Sequence, residues 1–117
     1  MRLHAELARL KREGVDHLAM EASSHGLDQF RLDGVRVSVA GFTNITRDHL
    51  DYHATFENYL AAKLRLFKDL VVQGGAAVVN MDAEHAEDFV AAAQARRLRL
   101  LTVGMKADGL RLLSQTP

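Results

Sequence analysis

The stretch TNITRDHLDYHATFENYLAAKLRLF, residues Thr43–Phe67, decides the fold of this chain. An apolar run, Val35–Phe42, comes directly before it, and a helix-like pattern begins near Phe56. The order predicts a strand, a polar loop at the carboxyl end of that strand, and then a helix. Ligands of open α/β sheets bind at this edge. The polar loop is therefore a candidate binding site, and its polar side chains are Asn44, Arg47, Asp48, His49, Asp51 and His53.

The helix after the loop carries a lysine on its apolar face. Thr55 is a plausible N-cap, and apolar residues at helical spacing follow it, namely Phe56, Tyr59, Leu60, Leu64 and Phe67. Lys63 interrupts this stripe. Its stem could pack on the core while its amine reaches water. Alternatively, burial could lower the pKa of the amine, and a neutral amine can react with CO₂ to form a carbamate, an anion that binds metals. The pattern leaves both interpretations open.

The rest of the chain alternates between helical and strand-like segments. Leu3, Leu7 and Leu10 predict an amphipathic helix ended by Gly14. Ser23–Gly34 is polar and predicted irregular, Gly74 and Gly75 are predicted to turn the chain into the third strand, and Asp82 is a candidate cap for a second long helix with the inner stripe Ala86, Phe89, Val90 and Ala93. The predicted strands are Val15–Ala22, Val35–Phe42, Ala76–Asn80, Leu98–Val103 and a possible fifth at Leu110–Leu113. Such alternation predicts an α/β fold, a mostly parallel sheet flanked by helices.

The composition narrows the class of function. Lys plus Arg and Asp plus Glu are equal at 15 each, which predicts neither a nucleic-acid nor a membrane partner. The chain has no cysteine, so thiolate metal sites and disulfides are excluded. No apolar run approaches the roughly 20 residues that span a bilayer. A cytoplasmic protein of one compact unit is the expectation.

The carboxyl ends of parallel strands share one edge of a sheet, which should bring distant polar groups together. Glu21, the loop from Asn44 to His53, and Asn80–Asp82 should all lie there. The carboxylate of Glu21, the imidazole of His49 and a second carboxylate, from Asp48 or Asp51, suit Mg²⁺. A solvated strand end for Glu21 and loop capping by Asp48 are the alternatives.

Other metal and phosphate sites find less support in the residues. His49 and His53 have the spacing of a zinc helix, but Leu50 stands where HExxH needs glutamate. The sequence contains no G-x-x-x-x-G-K-[ST] phosphate loop. If ATP chemistry occurs at this edge, its main phosphate clamp is not among these residues.

Two blocks resemble a known family. MEASSHGLDQFRLDG, residues 20–34, followed by FTNITRDHLDYHATFENYLAAKLRLF, residues 42–67, resembles the central domain of the Mur ligases, and most closely the tripeptide-forming member. These enzymes activate a substrate carboxylate with ATP as an acyl phosphate, which the amine of an incoming amino acid attacks. The resemblance implies Mg²⁺, ATP, UDP-MurNAc-L-Ala-D-Glu and a diamino acid, meso-diaminopimelate or lysine, as cofactor and substrates.

The resemblance also implies roles for individual positions. Glu21 and His49 match magnesium ligands, and Lys63 matches a carbamylated lysine that helps position a metal, so that His49 and Lys63 are the expected catalytic pair. The residues expected to hold the UDP-MurNAc-dipeptide are Ser23, Gln29 and Arg31, and Asn44 is expected to contact the nucleotide. The forked donors of Arg31 would suit an anionic ligand.

The chain departs from the family pattern in ways that shape the expectation. Ala22 and Phe30 stand where valine and histidine are common, and the glycine-rich GT-x-GK-[ST] loop of the family would lie upstream of residue 1. Residues 1–117 are therefore expected to form one partial domain that lacks the phosphate loop, has no activity alone and self-associates through a bared sheet edge. The alternatives are a non-catalytic binding or assembly module and a folylpolyglutamate synthase-like ligase, against which SSHGLDQFR argues.

Overall fold

The computed structural model describes residues 2–45, 55–106 and 109–111. These residues form a sheet of four parallel strands in the order β1-β2-β3-β4, flanked by helices. The elements are α1 (Arg2–Arg12), α2 (Ser24–Asp28), β1 (Val37–Phe42), α3 (Phe56–Arg65), a π-helical turn (Leu66–Leu70), β2 (Val71–Asn80), α4 (Ala86–Ala95), β3 (Arg99–Gly104) and β4 (Leu110–Arg111). The predicted α/β class and parallel sheet are confirmed.

Three features predicted from short stretches of sequence are confirmed: the start of α3, the end of α1 and the buried face of α4. The Thr55 side chain accepts a hydrogen bond of 3.1 Å from the Asn58 amide, as an N-cap does. Gly14 has a φ of 88° just after α1, a left-handed conformation that glycine adopts without strain. The inner face of α4 buries Phe89, which stacks on Phe42 of β1 with ring centroids 3.8 Å apart.

A wide irregularity separates the two halves of the β1–β2 pairing. Val37 pairs with Val71 and Val39 with Ala76, so β1 advances by two residues while β2 advances by five. Gly74 and Gly75 lie inside this irregularity and within β2, so the predicted turn before a strand starting at Ala76 is wrong. The glycines instead let the backbone bulge and approach β1 closely.

A second, smaller core packs α2 and the segment after it against the rest of the molecule. It consists of buried Leu27, Leu32 and Leu70, with Leu3 of α1 packed against them. The residues between Ser23 and Gly34 are therefore ordered by two leucine anchors, and part of them is the short helix α2 rather than an irregular loop. The sequence did not predict α2 because a helix of five residues is too short to show a helical period of apolar residues.

The predicted first strand, Val15–Ala22, is also wrong. Residues 15–23 have no regular secondary structure, and Val15, Leu18 and Met20 are 41–54% exposed. A strand requires a hydrogen-bonded neighbour, and none of the described strands pairs with this segment. The apolar character that predicted a strand therefore remains on the surface.

The other boundaries shift by a few residues. β1 begins at Val37 rather than Val35, and β3 spans Arg99–Gly104. β4 is observed at Leu110–Arg111, and the remainder of the predicted fifth strand lies outside the described residues. None of the helices in the described ranges is long and apolar enough to cross a membrane.

Candidate functional site

The loops that follow β1, β2 and β3 are tied together at the carboxyl edge of the sheet. The Asn80 side-chain amide donates to the carbonyl of Thr43 at 2.9 Å, which joins the end of β2 to the end of β1. Asn44, the predicted nucleotide contact, follows Thr43 and is exposed at this edge. The bond places the ends of β1 and β2 at one edge, as predicted, whereas a meeting of Asn80–Asp82 with Glu21 and with the rest of the loop up to His53 stays a prediction.

Asp82 joins the same edge to the loop after β3. Its carboxylate accepts the amides of Met105 at 2.7 Å and Lys106 at 2.9 Å. These backbone hydrogen bonds lower the pKa of the Asp82 carboxyl, because they favour its charged form. The prediction that Asp82 caps the following helix is wrong: His85, with a φ of 65°, precedes α4, and the Asp82 carboxylate accepts from the loop after β3 instead.

Lys63 and Glu21 lie within electrostatic range of each other, although 42 positions separate them in the sequence. Lys63 is half-buried on α3. Burial lowers the pKa of its amine, and the charge of Glu21 acts in the opposite direction. Half-burial is compatible with both interpretations left open by the sequence, and carbamylation of Lys63 stays a prediction.

The part of the polar loop that carries the remaining predicted metal ligand, residues 46–54, lies outside the described residues. His49, Asp48 and Asp51 belong to it, as does His53. Across residues 2–45, 55–106 and 109–111, no group of three or more histidine, cysteine or acidic side chains gathers as a metal site. Of the three predicted metal ligands, Glu21 and Lys63 are among the described residues.

The donor chemistry of this pair decides whether it fits a magnesium ion. Glu21 offers carboxylate oxygens, which Mg²⁺ prefers. A charged lysine cannot be a ligand, whereas a carbamate on the Lys63 nitrogen would add oxygen donors. The unprotonated amine is the form that reacts with CO₂, and burial shifts the pKa of Lys63 in the direction that favours this form. The pair therefore fits a magnesium site if Lys63 is carbamylated.

The three predicted substrate contacts lie on or beside one surface segment. Ser23, Gln29 and Arg31 are all exposed. The Ser23 hydroxyl also accepts the Gly26 amide at 3.0 Å, which closes the first turn of α2. The Arg31 carbonyl lies 3.2 Å from Nε2 of His4, which links this segment to α1.

The sequence analysis missed Arg65, which fastens this segment to α3. Its guanidinium donates to the Leu27 carbonyl at 2.8 Å and to both carboxylate oxygens of Asp33 at 2.9 and 3.0 Å. An arginine between the apolar residues Leu64 and Leu66 was the available signal. Its partners lie more than 30 positions away, so the sequence could not name them.

The fold and the edge define the class of protein. Residues 1–115 match the family described as the Mur ligase middle domain, and the chain belongs to that family.

Individual relatives carry a more specific name. The chain is 60% identical over 107 residues to the UDP-N-acetylmuramoyl-L-alanyl-D-glutamate--2,6-diaminopimelate ligase of Bradyrhizobium diazoefficiens, covering 92% of this chain and 22% of that protein. It is 58% identical over 111 residues to the ligase of the same name from Caulobacter vibrioides, covering 95% and 23%. A solved structure of a ligase of this name superposes with a TM-score of 0.81 at 36% identity, covering 92% and 22%. The chain thus spans less than a quarter of the length of these relatives.

Proposed function

We propose that this chain is part of the middle domain of an ATP-dependent ligase that adds a diamino acid, 2,6-diaminopimelate in the relatives' names, to UDP-MurNAc-L-Ala-D-Glu. The observation that carries the proposal is the match of residues 1–115 to the Mur ligase middle domain, and the electrostatic interaction between half-buried Lys63 and Glu21 agrees with it. This pair stands in the two sequence blocks that resemble the family. Because its substrates are soluble nucleotides and amino acids, the enzyme is expected in the cytoplasm.

The chemistry that this pair supports begins with the amine of Lys63. Its lowered pKa raises the fraction of neutral amine, whose nitrogen lone pair forms a bond to the carbon of CO₂ while a proton leaves to water. The product is an anionic carbamate. Glu21, His49 and this carbamate would hold Mg²⁺, which neutralises phosphate charge during acyl phosphate chemistry.

The exposed segment beside this pair is proposed to hold the nucleotide-linked peptide substrate. The guanidinium of Arg31 can bind a carboxylate or phosphate with two parallel hydrogen bonds. Ser23 and Gln29 offer neutral hydrogen-bonding groups next to it, and Asn44 is proposed to contact ATP. Exposure of Gln29, Arg31 and Asn44 supports these roles, because a ligand can reach all three side chains.

The experiment is an assay of ADP release by the full-length protein with and without each substrate. We expect release to require UDP-MurNAc-L-Ala-D-Glu, the diamino acid and Mg²⁺ together. Glu21→Gln and Lys63→Met should each reduce kcat by about 10²-fold or more, the usual loss when a transition-state charge contact is removed. The matched control is Arg99→Lys on the exposed surface of β3, which should keep the rate.

Carbamylation can be tested separately. With ¹³C-bicarbonate, wild-type protein should show a carbamate carbon resonance that Lys63→Met lacks. Full activity of Lys63→Met would refute the proposed site. Binding of UDP-MurNAc-L-Ala-D-Glu without any ADP release would favour a non-catalytic module instead. The 117-residue chain alone is expected to show no turnover, and magnesium-dependent turnover by it would contradict that expectation.

A further inference from the structure

The guanidinium group of Arg65 makes hydrogen bonds, an ion pair and a cation–π contact with a neighbouring segment and with the turn that follows its own helix. One Nη donates to the Leu27 carbonyl at 2.8 Å and the other to the Asp33 carboxylate at 2.9 Å. Its Nε pairs with Asp69 at 3.3 Å. Its flat face lies over the ring of Phe30, with 4.3 Å from Cζ to the ring centroid. The side chain is only 20% exposed, so these contacts are partly shielded from water.

The contacts span the whole of residues 27–33, which we call the clasped segment. Leu27 and Asp33 stand at its two ends, and Phe30 stands in its middle. Gln29 and Arg31 lie between the three points held by Arg65, and both are exposed. The arginine therefore fixes the backbone on either side of the two residues proposed to bind substrate.

The middle of the clasped segment is strained. Phe30 has a φ of 59°, in the left-handed region that a bulky side chain rarely adopts, and the residue is 59% exposed. Such a conformation persists only where its surroundings enforce it, and strain of this kind is concentrated at binding sites. The guanidinium over the ring, together with buried Leu27 and Leu32 below, supplies that constraint.

We propose that Arg65 is a positioning residue for the substrate: it holds the clasped segment in its strained form, so that Gln29 and Arg31 keep the positions from which they would contact the ligand. This inference rests on the proposed function, since it assigns Arg65 to the UDP-MurNAc-dipeptide part of that site. Arg65 itself touches no reacting group. It joins the substrate segment to α3, the helix that also carries Lys63.

The chemistry of the contacts requires arginine rather than lysine. A guanidinium can donate to Leu27 and Asp33 from two different nitrogens while its plane covers Phe30. An ammonium is a compact charge on a flexible stem and cannot do all three. Arg65→Lys therefore keeps the charge and removes the clasp, which separates the two contributions.

The test uses the full-length protein and two readouts. The first is the Kd of UDP-MurNAc-L-Ala-D-Glu and of ATP by calorimetry for Arg65→Lys and Asp33→Asn. We expect each variant to raise the Kd of the UDP-dipeptide about tenfold, the value of one charge-assisted hydrogen bond. The Kd of ATP should stay within about twofold, because the segment that Arg65 holds contains none of the residues proposed to contact ATP. Because both variants break the same contact, the double variant should bind no more weakly than the weaker single one.

The second readout is amide hydrogen exchange, which a loss of global stability would change differently. In Arg65→Lys, exchange should accelerate about tenfold within residues 27–33 and stay unchanged in β2 and α4. The control, Arg99→Lys, removes an exposed arginine that lies on β3 and should change neither readout.

Each remaining outcome counts against the inference in a recognisable way. If Arg65→Lys weakens both ligands equally and accelerates exchange everywhere, Arg65 is a stability residue. If Gln29→Ala and Arg31→Ala weaken UDP-dipeptide binding but Arg65→Lys does not, the clasp is irrelevant to binding and only this inference fails. If none of these variants changes UDP-dipeptide binding, the proposed substrate segment fails as well.

Discussion

Gly75 is the position at which one added methyl group should cost the most. A Cβ there would lie 2.7 Å from the Ser38 carbonyl oxygen and 2.9 Å from that of Val72, distances that Cβ atoms essentially never show. Ser38 belongs to β1 and Val72 to β2 itself, so both the spacing of the two strands and the bulge within β2 must change, and the Val71 Cγ1 atom at 2.7 Å adds a third clash. Overpacking of this kind costs about 1–3 kcal/mol of unfolding free energy. We expect Gly75→Ala to lose about 2 kcal/mol, or roughly 8 °C in Tm for a chain of this size.

Gly41 offers a matched control in the partner strand. A Cβ at Gly41 meets nothing within 4 Å. Gly41→Ala should therefore leave stability unchanged or raise it by up to about 1 kcal/mol, through a less flexible unfolded chain. Urea unfolding of the 117-residue chain followed by circular dichroism would compare the midpoints of the two variants with wild type. Equal stability of Gly75→Ala and Gly41→Ala would refute the close approach of β1 and β2 at the bulge.

Three further predictions concern charge and surface. Hydrogen bonds lower the pKa of the Asp82 carboxyl in the folded chain, so the charged carboxylate stabilises the fold above its unfolded pKa. This stabilisation is lost as the pH falls below about 4. The urea midpoint of Asp82→Asn should therefore lie below that of wild type at pH 7 and approach it at pH 3. Burial lowers the pKa of the Lys63 amine, so the unfolded chain binds more protons than the folded one and the stability of wild type rises with pH. In CO₂-free buffer, Lys63→Met should therefore be more stable than wild type at pH 7. This difference in stability should narrow toward about pH 10. Leu18 and Val39 are 54% and 58% exposed, and we expect the wild-type chain to self-associate through these side chains. The double variant Leu18→Lys with Val39→Lys should therefore show a lower molecular mass than wild type in light scattering.

The controls for these predictions lie in the same chain. Leu110, on the opposite edge of the described sheet and 67% exposed, should tolerate Leu110→Lys without a change in mass. A monomeric wild-type chain at high concentration would overturn the association prediction. For Asp82→Asn and Lys63→Met, a stability difference that does not vary with pH would show that these groups titrate alike in the folded and unfolded chain.

Features that depend on near neighbours in the sequence were predicted well. Thr55 caps α3, Gly14 lies just after α1, and the buried face of α4 follows its apolar period. Each of these depends on residues three or four positions apart. The predicted strand at Val15–Ala22 failed because apolar composition shows that a segment can be buried, not that a neighbour exists to pair with it.

The candidate site likewise has features that the sequence predicted and features that only the packing shows. The motif blocks named Glu21, Lys63 and the substrate contacts, and the alternation of strands and helices placed Asn44 and Asn80 at one edge. The half-burial of Lys63 beside Glu21 is a property of packing, and so are the partners of Asp82 and Arg65.

The sequence by itself therefore determined the fold class, the family and the residue types available at the sheet edge, since periodicity, caps and motifs are written in short stretches of chain. Tertiary structure alone decided which carboxylate stands near Lys63, where β2 bulges, and what Arg65 holds. The physical reason is the separation of the contacting residues along the sequence. These contacts join atoms 23 to 42 positions apart, and their geometry follows from how strands and helices pack rather than from any local preference.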